Sequence, residues 1–353
     1  MAMLRAAKRS LKLCFYIFAE DAVSREVRDA LAAAARRGVE VVLIIDRFGS
    51  AASDRFLAPI REAGGTCQFF SARWTPRYLV RNHQKMIIAD DARAMFGGFN
   101  IADDYFASPE DNGWNDLAIR VEGTAVAGLA QWFDKLRRWT DEDGAPRFRT
   151  ITRTVARWDW QDGGARWLVG GPTRGLSTWA RCVTRDMVRG EQLDMLMAYF
   201  SPPSHLLRRI GKIARKGRTR LVMAAKSDNT ATLGASRSLY GYLLRNRAMI
   251  WEFTPTKLHT KLIVLDDVVY LGSANFDMRS LYLNLELMLE IRDVALAERM
   301  RQFVTDHIAA SEEITPALHK ARATPWNRFR WWLGWVLVSV IDYTVSRRLN
   351  LGL

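Results

Sequence analysis

Apolar positions fall into short runs with strand character, separated by stretches of helical periodicity, and the chain passes through this series twice. In the first half, Ser24 is placed to cap an Ala-rich helix that runs to about Arg37, with Gly38 at its end. A β-rich run from Val39 to Ile45 follows. Further strands are expected at about 67–70, 83–89, 94–96 and 115–121, then a helix at about 124–140. The second half repeats the pattern. A helix is expected at about 205–216, strands at 219–224, 249–253, 258–265, 268–271 and 285–291, and a helix at about 295–308. Local echoes support a duplication. Tyr16-Ile17-Phe18 is matched by Tyr199-Phe200, Arg37-Gly38 by Lys216-Gly217, Cys67–Phe70 by Ile250–Phe253 and Asn100 by Asn275, at offsets from 175 to 183 residues. Alternating helices and strands predict the α/β class, with a largely buried sheet in each half. The expected organisation is one domain over 1–145, a second over 146–310 and a tail over 311–353. The Arg-, Gly- and Asp-rich stretch 141–172 reads as the linker.

Composition narrows the partners. The 353 residues carry a formal charge of +14 and a pI near 10.0, which draws the chain to polyanions such as anionic lipid or nucleic acid. Three cysteines without metal-ligand spacing read as reduced thiols of a cytoplasmic protein. The basic N-terminus lacks a signal-peptide layout. Its apolar run from Leu13 to Ala19 is short, is closed by Glu20 and Asp21, and reads as a first strand. No uninterrupted apolar run reaches the length of an ordinary membrane-spanning helix. The longest apolar stretch of the tail, Trp331 to Ile341, is preceded by Arg328 and Arg330 and followed by Arg347 and Arg348. That composition suits an amphipathic helix lying on an anionic membrane surface.

The chemistry is concentrated in two copies of one motif. His83-Gln84-Lys85 with Asp90, and His259-Thr260-Lys261 with Asp266, both spell H-x-K-x4-D. Each is followed by a small-residue turn ending in Asn, Gly97-Gly98-Phe99-Asn100 and Gly272-Ser273-Ala274-Asn275. One such match arises readily by chance, whereas two at corresponding points of a repeat do not. Within a strand, His and Lys two residues apart share a face. Two His, two Lys and two Asn can then converge on one phosphate. The lysines and Asn amides supply donors for its oxygens, one neutral His attacks phosphorus and the other supplies a proton to the departing alcohol. A metal or other cofactor is not called for. Asp116 and Glu286, 33 and 27 residues after the histidine of their own half, are candidates to hold the imidazoles. Asp90 and Asp266 belong to the motif set. Their odd spacing turns them to the opposite face, which points to structural hydrogen bonding and not to proton transfer.

These motifs resemble the phospholipase D superfamily over about residues 11–310. The resemblance implies two similar α/β domains, each a mixed β-sheet flanked by helices, with one active site at their interface. It also implies His83 as nucleophile, His259 as general acid, and Asp116 and Glu286 as the orienting carboxylates. Asp46-Arg47-Phe48-Gly49-Ser50, Trp114-Asn115-Asp116 and Asn275-Phe276-Asp277-Met278-Arg279-Ser280 are similar to the bacterial cardiolipin synthases within that superfamily. Gly98 departs from the more usual Ser, which removes a hydroxyl donor from the first turn. The expected activity is phosphatidyl transfer between anionic phospholipids, by a protein peripheral to the cytoplasmic face of the inner membrane. The alternative is a phosphodiesterase that uses the same residues to hydrolyse phospholipid or nucleic acid. Nucleic acid is the less favoured partner, because nothing resembles a nucleic-acid-binding motif and the apolar tail favours lipid.

Overall fold

A computed structural model describes residues 1–70, 80–140, 148–173 and 175–341. The first half forms α1 (Ala2–Ala6), β1 (Ser10–Phe15), α2 (Ala22–Arg36), β2 (Glu40–Asp46), α3 (Asp54–Glu62), β3 (Thr66–Phe70), β4 (Met86–Ala89), β5 (Arg93–Gly97), β6 (Trp114–Asn115), β7 (Ala118–Glu122) and α4 (Thr124–Thr140). Next come α5 (Phe148–Arg157), β8 (Trp160–Asp162), β9 (Ala165–Gly170), α6 (Thr178–Arg189), β10 (Gln192–Met197), β11 (Phe200–Ser201), α7 (Ser204–Lys216), β12 (Arg218–Ala224) and α8 (Thr230–Arg245). The second half continues through β13 (Met249–Phe253), β14 (Lys257–Leu258), β15 (Lys261–Leu265), β16 (Val268–Gly272), β17 (Phe276–Asp277), α9 (Met278–Tyr282), β18 (Glu286–Arg292), α10 (Val294–Ala309) and β19 (Ser311–Glu313). Then follow α11 (Pro316–Arg322) and α12 (Pro325–Trp335).

The duplication is visible in the sheets. The first has the order β3-β2-β1-β4-β5-β7, and the second contains the matching series β13-β12-β10-β15-β16-β18. In both, three strands joined by helical crossovers run parallel and the rest pair antiparallel. The second sheet is wider, with β19 on one edge and β9 and β8 on the other. This corrects the expectation for 141–172. Residues 141–147 lie outside the described residues, but the remainder is not a linker. It supplies α5 and the strand pair β8–β9, and the whole of β9 pairs with β18.

Strand alternation divides the apolar residues among three cores. Met86 and Ile88 of β4 and Leu262 and Val264 of β15 enter one core, shared by both sheets with α4 and α10. Their neighbours Ile87 and Ala89 face the layer under α2 and α3, and Ile263 and Leu265 face the layer under α6, α7 and α8. The two halves are thus joined through one apolar interior. α4 packs into it with Val126, Leu129, Phe133 and Leu136, spaced for one helical face.

Helix α2 begins earlier than the cap signal suggested. Asp21 accepts from Ser24 N at 3.0 Å, while the buried Ser24 hydroxyl donates to Ile101 O at 2.9 Å. A carboxylate at the helix start satisfies the free N–H group, and that leaves Ser24 to tie the helix to the other side of the half. The tail is helical. α12 lies on α8 where Gly334 meets Ala231; a Cβ on Gly334 would stand 2.7 Å from Ala231 O. It continues through a π-helical stretch, Val336–Ile341. Arg347 and Arg348 lie outside the described residues. No helix among the described residues is long and apolar enough to cross a membrane.

Candidate active site

Both motif histidines sit just outside the regular ladders, at the junction of the halves. His83 N donates to Leu285 O at 2.9 Å, and Leu285 N donates to Arg81 O at 2.9 Å. In the mirror arrangement, β14 pairs in parallel with β6, and His259 N donates to Asn115 O at 2.7 Å. Each histidine segment is therefore laid beside the carboxylate-bearing segment of the other half. The side chains follow. His83 Nδ1 lies 3.1 Å from Glu286 Oε2, and His259 Nδ1 lies 2.6 Å from Asp116 Oδ2. Each carboxylate thus holds the histidine of the other half. Strands that break at residues 83–85, 116–117 and 259–260 exchange partners across the interface, and sequence distance does not register that exchange. With Nδ1 held by a carboxylate, Nε2 is the imidazole nitrogen left for chemistry.

The two carboxylates are held differently. Glu286 is fully buried, and its Oε2 also accepts from the Ser273 hydroxyl at 2.5 Å. Ser273 in turn accepts from Leu287 N at 3.0 Å. Asp116 accepts from Leu117 N at 2.8 Å, and the position matching Ser273 is Gly98. A Cβ on Gly98 would come within 2.4 Å of Asp116 Oδ1. The departure noted in the sequence thus leaves room for the shorter carboxylate in the pose that meets His259.

Lys85 and Lys261 are as buried as the core around them. Lys85 Nζ donates to His83 O at 2.6 Å, and Lys261 Nζ donates to His259 O. His83 responds to the charge of Lys261 and His259 to that of Lys85, so all four groups share one electrostatic site. Burial lowers both imidazoles to about 4; Glu286 opposes this at His83, while at His259 Lys261 adds to it and Asp116 opposes it. Both are neutral at neutral pH. Burial also brings Lys85 down to about 7, against Glu286, and Lys261 to about 8, against Asp116. An arriving phosphodiester anion favours the charged form of all four, so binding should take up protons.

A pH prediction follows with its sign set by these directions. The lysines are cations below their values and lose charge above them, and a neutral His83 is lost as pH falls through about 4. With a soluble diester carrying a phenolic leaving group, which departs without a proton, kcat/KM should be level between those limits and fall above about pH 7. With an alkoxide leaving group His259 must arrive protonated, and the decline should begin at lower pH. Identical profiles for the two substrates would remove His259 from the acid role.

The remaining motif residues divide. Asp90 and Asp266 adopt positive φ at the far ends of β4 and β15. Asp90 accepts from Lys8 N, Arg9 N and Ser10 N, and Asp266 from Glu191 N and Gln192 N, where each binds the start of the adjacent strand. The structure does not bring them to the histidines. Asn100 bridges Ile17 N and the Tyr105 hydroxyl, at 3.0 and 2.8 Å. Asn275 is buried, and its Oδ1 has no hydrogen-bond partner among the described residues. The sequence assigns no role to several further contributors and does not single out Tyr105 at all. The Tyr16 ring meets His83 edge-on at 5.0 Å. Tyr105 and Trp114, stacked on each other, meet His259 at 5.2 and 5.1 Å. Gln84 ties the motif to the core by accepting from Trp132 Nε1 at 2.9 Å. Asp46 Oδ2 accepts from Asn82 N at 2.6 Å, which fixes the residue before His83. A cavity of about 740 Å³ elsewhere on the second half, lined by Arg166, Arg185, Asp186, Glu290 and Arg292, contains none of the motif His or Lys residues. Among the described residues, no group of three or more His, Cys, Asp or Glu is arranged to hold a metal.

A duplicated α/β fold with paired H-x-K motifs meeting at its centre defines a phospholipase D-like protein. The family model described as "Cardiolipin synthase, PLD-like domain" matches residues 1–137 and 188–307, and the chain belongs to that family. Among curated relatives it is 30% identical to the major cardiolipin synthase ClsA of Bacillus subtilis, over 88% of this chain and 66% of that protein. It is 28% identical to cardiolipin synthase B of Salmonella typhimurium, over 91% of this chain and 80% of that protein. The chain spans just under two thirds of the length of the Bacillus relatives, 66% and 64% for two of them. Among solved structures, phosphatidylserine synthase of Haemophilus influenzae superposes with a TM-score of 0.72, covering 95% of this chain and 88% of that one at 12% identity. Polyphosphate kinase of Porphyromonas gingivalis gives 0.62 over 94% of this chain and 50% of its own, at 15% identity. These likenesses establish the fold.

Proposed function

We propose that the protein is a phosphatidyltransferase of cardiolipin synthase type, which condenses phosphatidylglycerol with a second phospholipid through a phosphatidyl-histidine. The observation that carries this is the crossed arrangement of two imidazole–carboxylate pairs around two buried lysines. His83 Nε2 attacks phosphorus, the bond from phosphorus to the glycerol oxygen breaks, and His259 gives its proton to the departing glycerol. A hydroxyl of the second lipid then attacks phosphorus, the P–N bond breaks, and His259 takes the hydroxyl proton. Lys85 and Lys261 hold the equatorial oxygens, and the Asn275 amide, whose oxygen has no donor among the described residues, can turn its NH2 toward them. The relatives named as cardiolipin synthases support this substrate class. Anionic phospholipids would be met by peripheral contact with the cytoplasmic face of the inner membrane.

Pure protein incubated with phosphatidylglycerol vesicles should yield cardiolipin and glycerol in equal amounts by mass spectrometry. Thorough chelation should leave the rate within about twofold, since the lysines supply the charge that a metal would otherwise provide. Phosphatidic acid as the main product would make the protein a hydrolase, and cleavage of single-stranded oligonucleotides in preference to lipid would make it a nuclease.

A further inference from the structure

The outward face of the tail carries an unusual apolar surface. Trp326 is 65% exposed, Trp332 54% and Phe329 49%, with Leu333, Leu337 and Val340 exposed along the same helix. Exposed apolar patches rimmed by charge mark binding surfaces. Beneath this face, a cavity of about 460 Å³ opens between α8, α11 and α12, lined by Arg245, His319, Arg328, Trp331 and Trp335 among others. Arg237, also at this cavity, is neutralised by Glu252 at 2.8 and 2.9 Å. Arg245 and Arg328 have no ion-pair partner among the described residues; burial disfavours protonation of His319, the two guanidinium groups add to this and Glu252 opposes it. The cavity thus combines indole walls with two guanidinium groups that no described carboxylate pairs.

The surface is tied to the catalytic centre. α12 is clamped to the first turn of α8 by the close approach of Gly334 to Ala231. That turn follows Asp228, which accepts from the Tyr199 hydroxyl at 2.9 Å and acts on Lys261. Two further exposed aromatics adjoin, in sequence, residues that pack toward the histidines. Phe106, 54% exposed, follows Tyr105 at His259; Phe48 precedes Gly49, which abuts Tyr16 at His83.

We infer that α8, α11 and α12 form a second, non-catalytic phospholipid site that docks the protein on an anionic bilayer. Trp326, Phe329 and Trp332 enter the interfacial layer, and a lipid phosphate sits between Arg245 and Arg328 against Trp331 and Trp335. The occupant follows from charge complementarity: a net charge of +14, two arginines with no ion-pair partner among the described residues and exposed indoles beside them match a negative surface with an apolar interior. This deepens the proposed function, since it rests on a lipid substrate.

The test uses the full chain, with vesicles of phosphatidylcholine alone or mixed with phosphatidylglycerol, read by co-sedimentation. The native protein should bind the mixed vesicles at least tenfold more tightly, with the preference reduced at high salt. Arg245→Gln with Arg328→Gln should remove most of that preference, and Phe329→Ser with Trp332→Ser should weaken binding to both compositions. Hydrolysis of a soluble phenolic phosphodiester should be unchanged in all variants, which also shows that they are folded; if the double arginine variant melts early, Arg245→Glu alone takes its place. Unchanged vesicle binding in both pairs overturns the inference. So does a dimer in solution that the Phe329 and Trp332 changes dissociate, because the face would then belong to a second copy of the chain. Loss of the catalytic reading looks different: no turnover on any diester, with vesicle binding intact.

Discussion

Replacing His83 by alanine should lower turnover by about four orders of magnitude or more, and replacing His259 should do the same for steady-state transfer to a lipid alcohol. The two proteins should nonetheless differ in the first turnover. With a diester that releases a phenol, His259→Ala retains the nucleophile, its carboxylate Glu286 and both lysines, so it should release one phenol per site and stop as a phosphohistidine adduct. His83→Ala should release none. Rapid mixing gives the burst, and peptide mapping at neutral pH locates the adduct. An adduct on His259 in the His83→Ala protein would reverse the roles. Near-normal turnover in either variant would show that the halves do not share one site, against the mutual electrostatic influence of the four buried groups.

The repeated sheet was legible because its signals are local. The expected strand at 249–253 and helix at 124–140 coincide with β13 and α4. Most other strand ends lie within a residue or two, since β-branched runs and Gly stops act over a few residues. Helices α3, α6 and α8 and the central strand β10 were among the elements that went unassigned. The six-strand order shared by both halves shows that α3 and α8 serve as matching crossovers, which no local pattern announces. The 83–89, 115–121 and 258–265 expectations each merged candidate site residues into a strand that the structure interrupts or starts later. At those breaks the backbone binds the other half, so local periodicity ceases to apply.

The site residues followed the same division. The motif gave the two His and two Lys because the chemistry constrains their spacing. It did not give Tyr16, Tyr105 or Trp114, because packing against an imidazole has no fixed sequence distance. Ser273 was visible only as part of a turn, and its bond to Glu286 explains why that turn carries a hydroxyl when its counterpart, Gly98, does not. Arg and Trp content marked the tail as interfacial, but the cavity that organises Arg245 with Arg328 needs α8, which lies more than eighty residues earlier.

The crossed pairing yields the second large expected effect. Asp116→Asn and Glu286→Gln preserve shape but replace an acceptor with an amide that can present a donor to Nδ1, and so place the wrong nitrogen of the imidazole in the protonated state. In a hydrolase triad the equivalent change costs about four orders of magnitude, and a loss of about 10³ to 10⁴ in steady-state transfer is expected for each. Their first turnovers should separate as those of the histidines do. Glu286 holds His83, so Glu286→Gln should slow formation of the adduct and abolish the phenol burst. Asp116 holds His259, so Asp116→Asn should leave the burst in place and slow the second step, in which His259 must accept the proton of the attacking alcohol. If each carboxylate served the histidine of its own half, the outcomes would exchange: Asp116→Asn would lose the burst and Glu286→Gln would keep it. Only the geometry at the interface, where Leu285 lies beside His83 and Asn115 beside His259, predicts the first result.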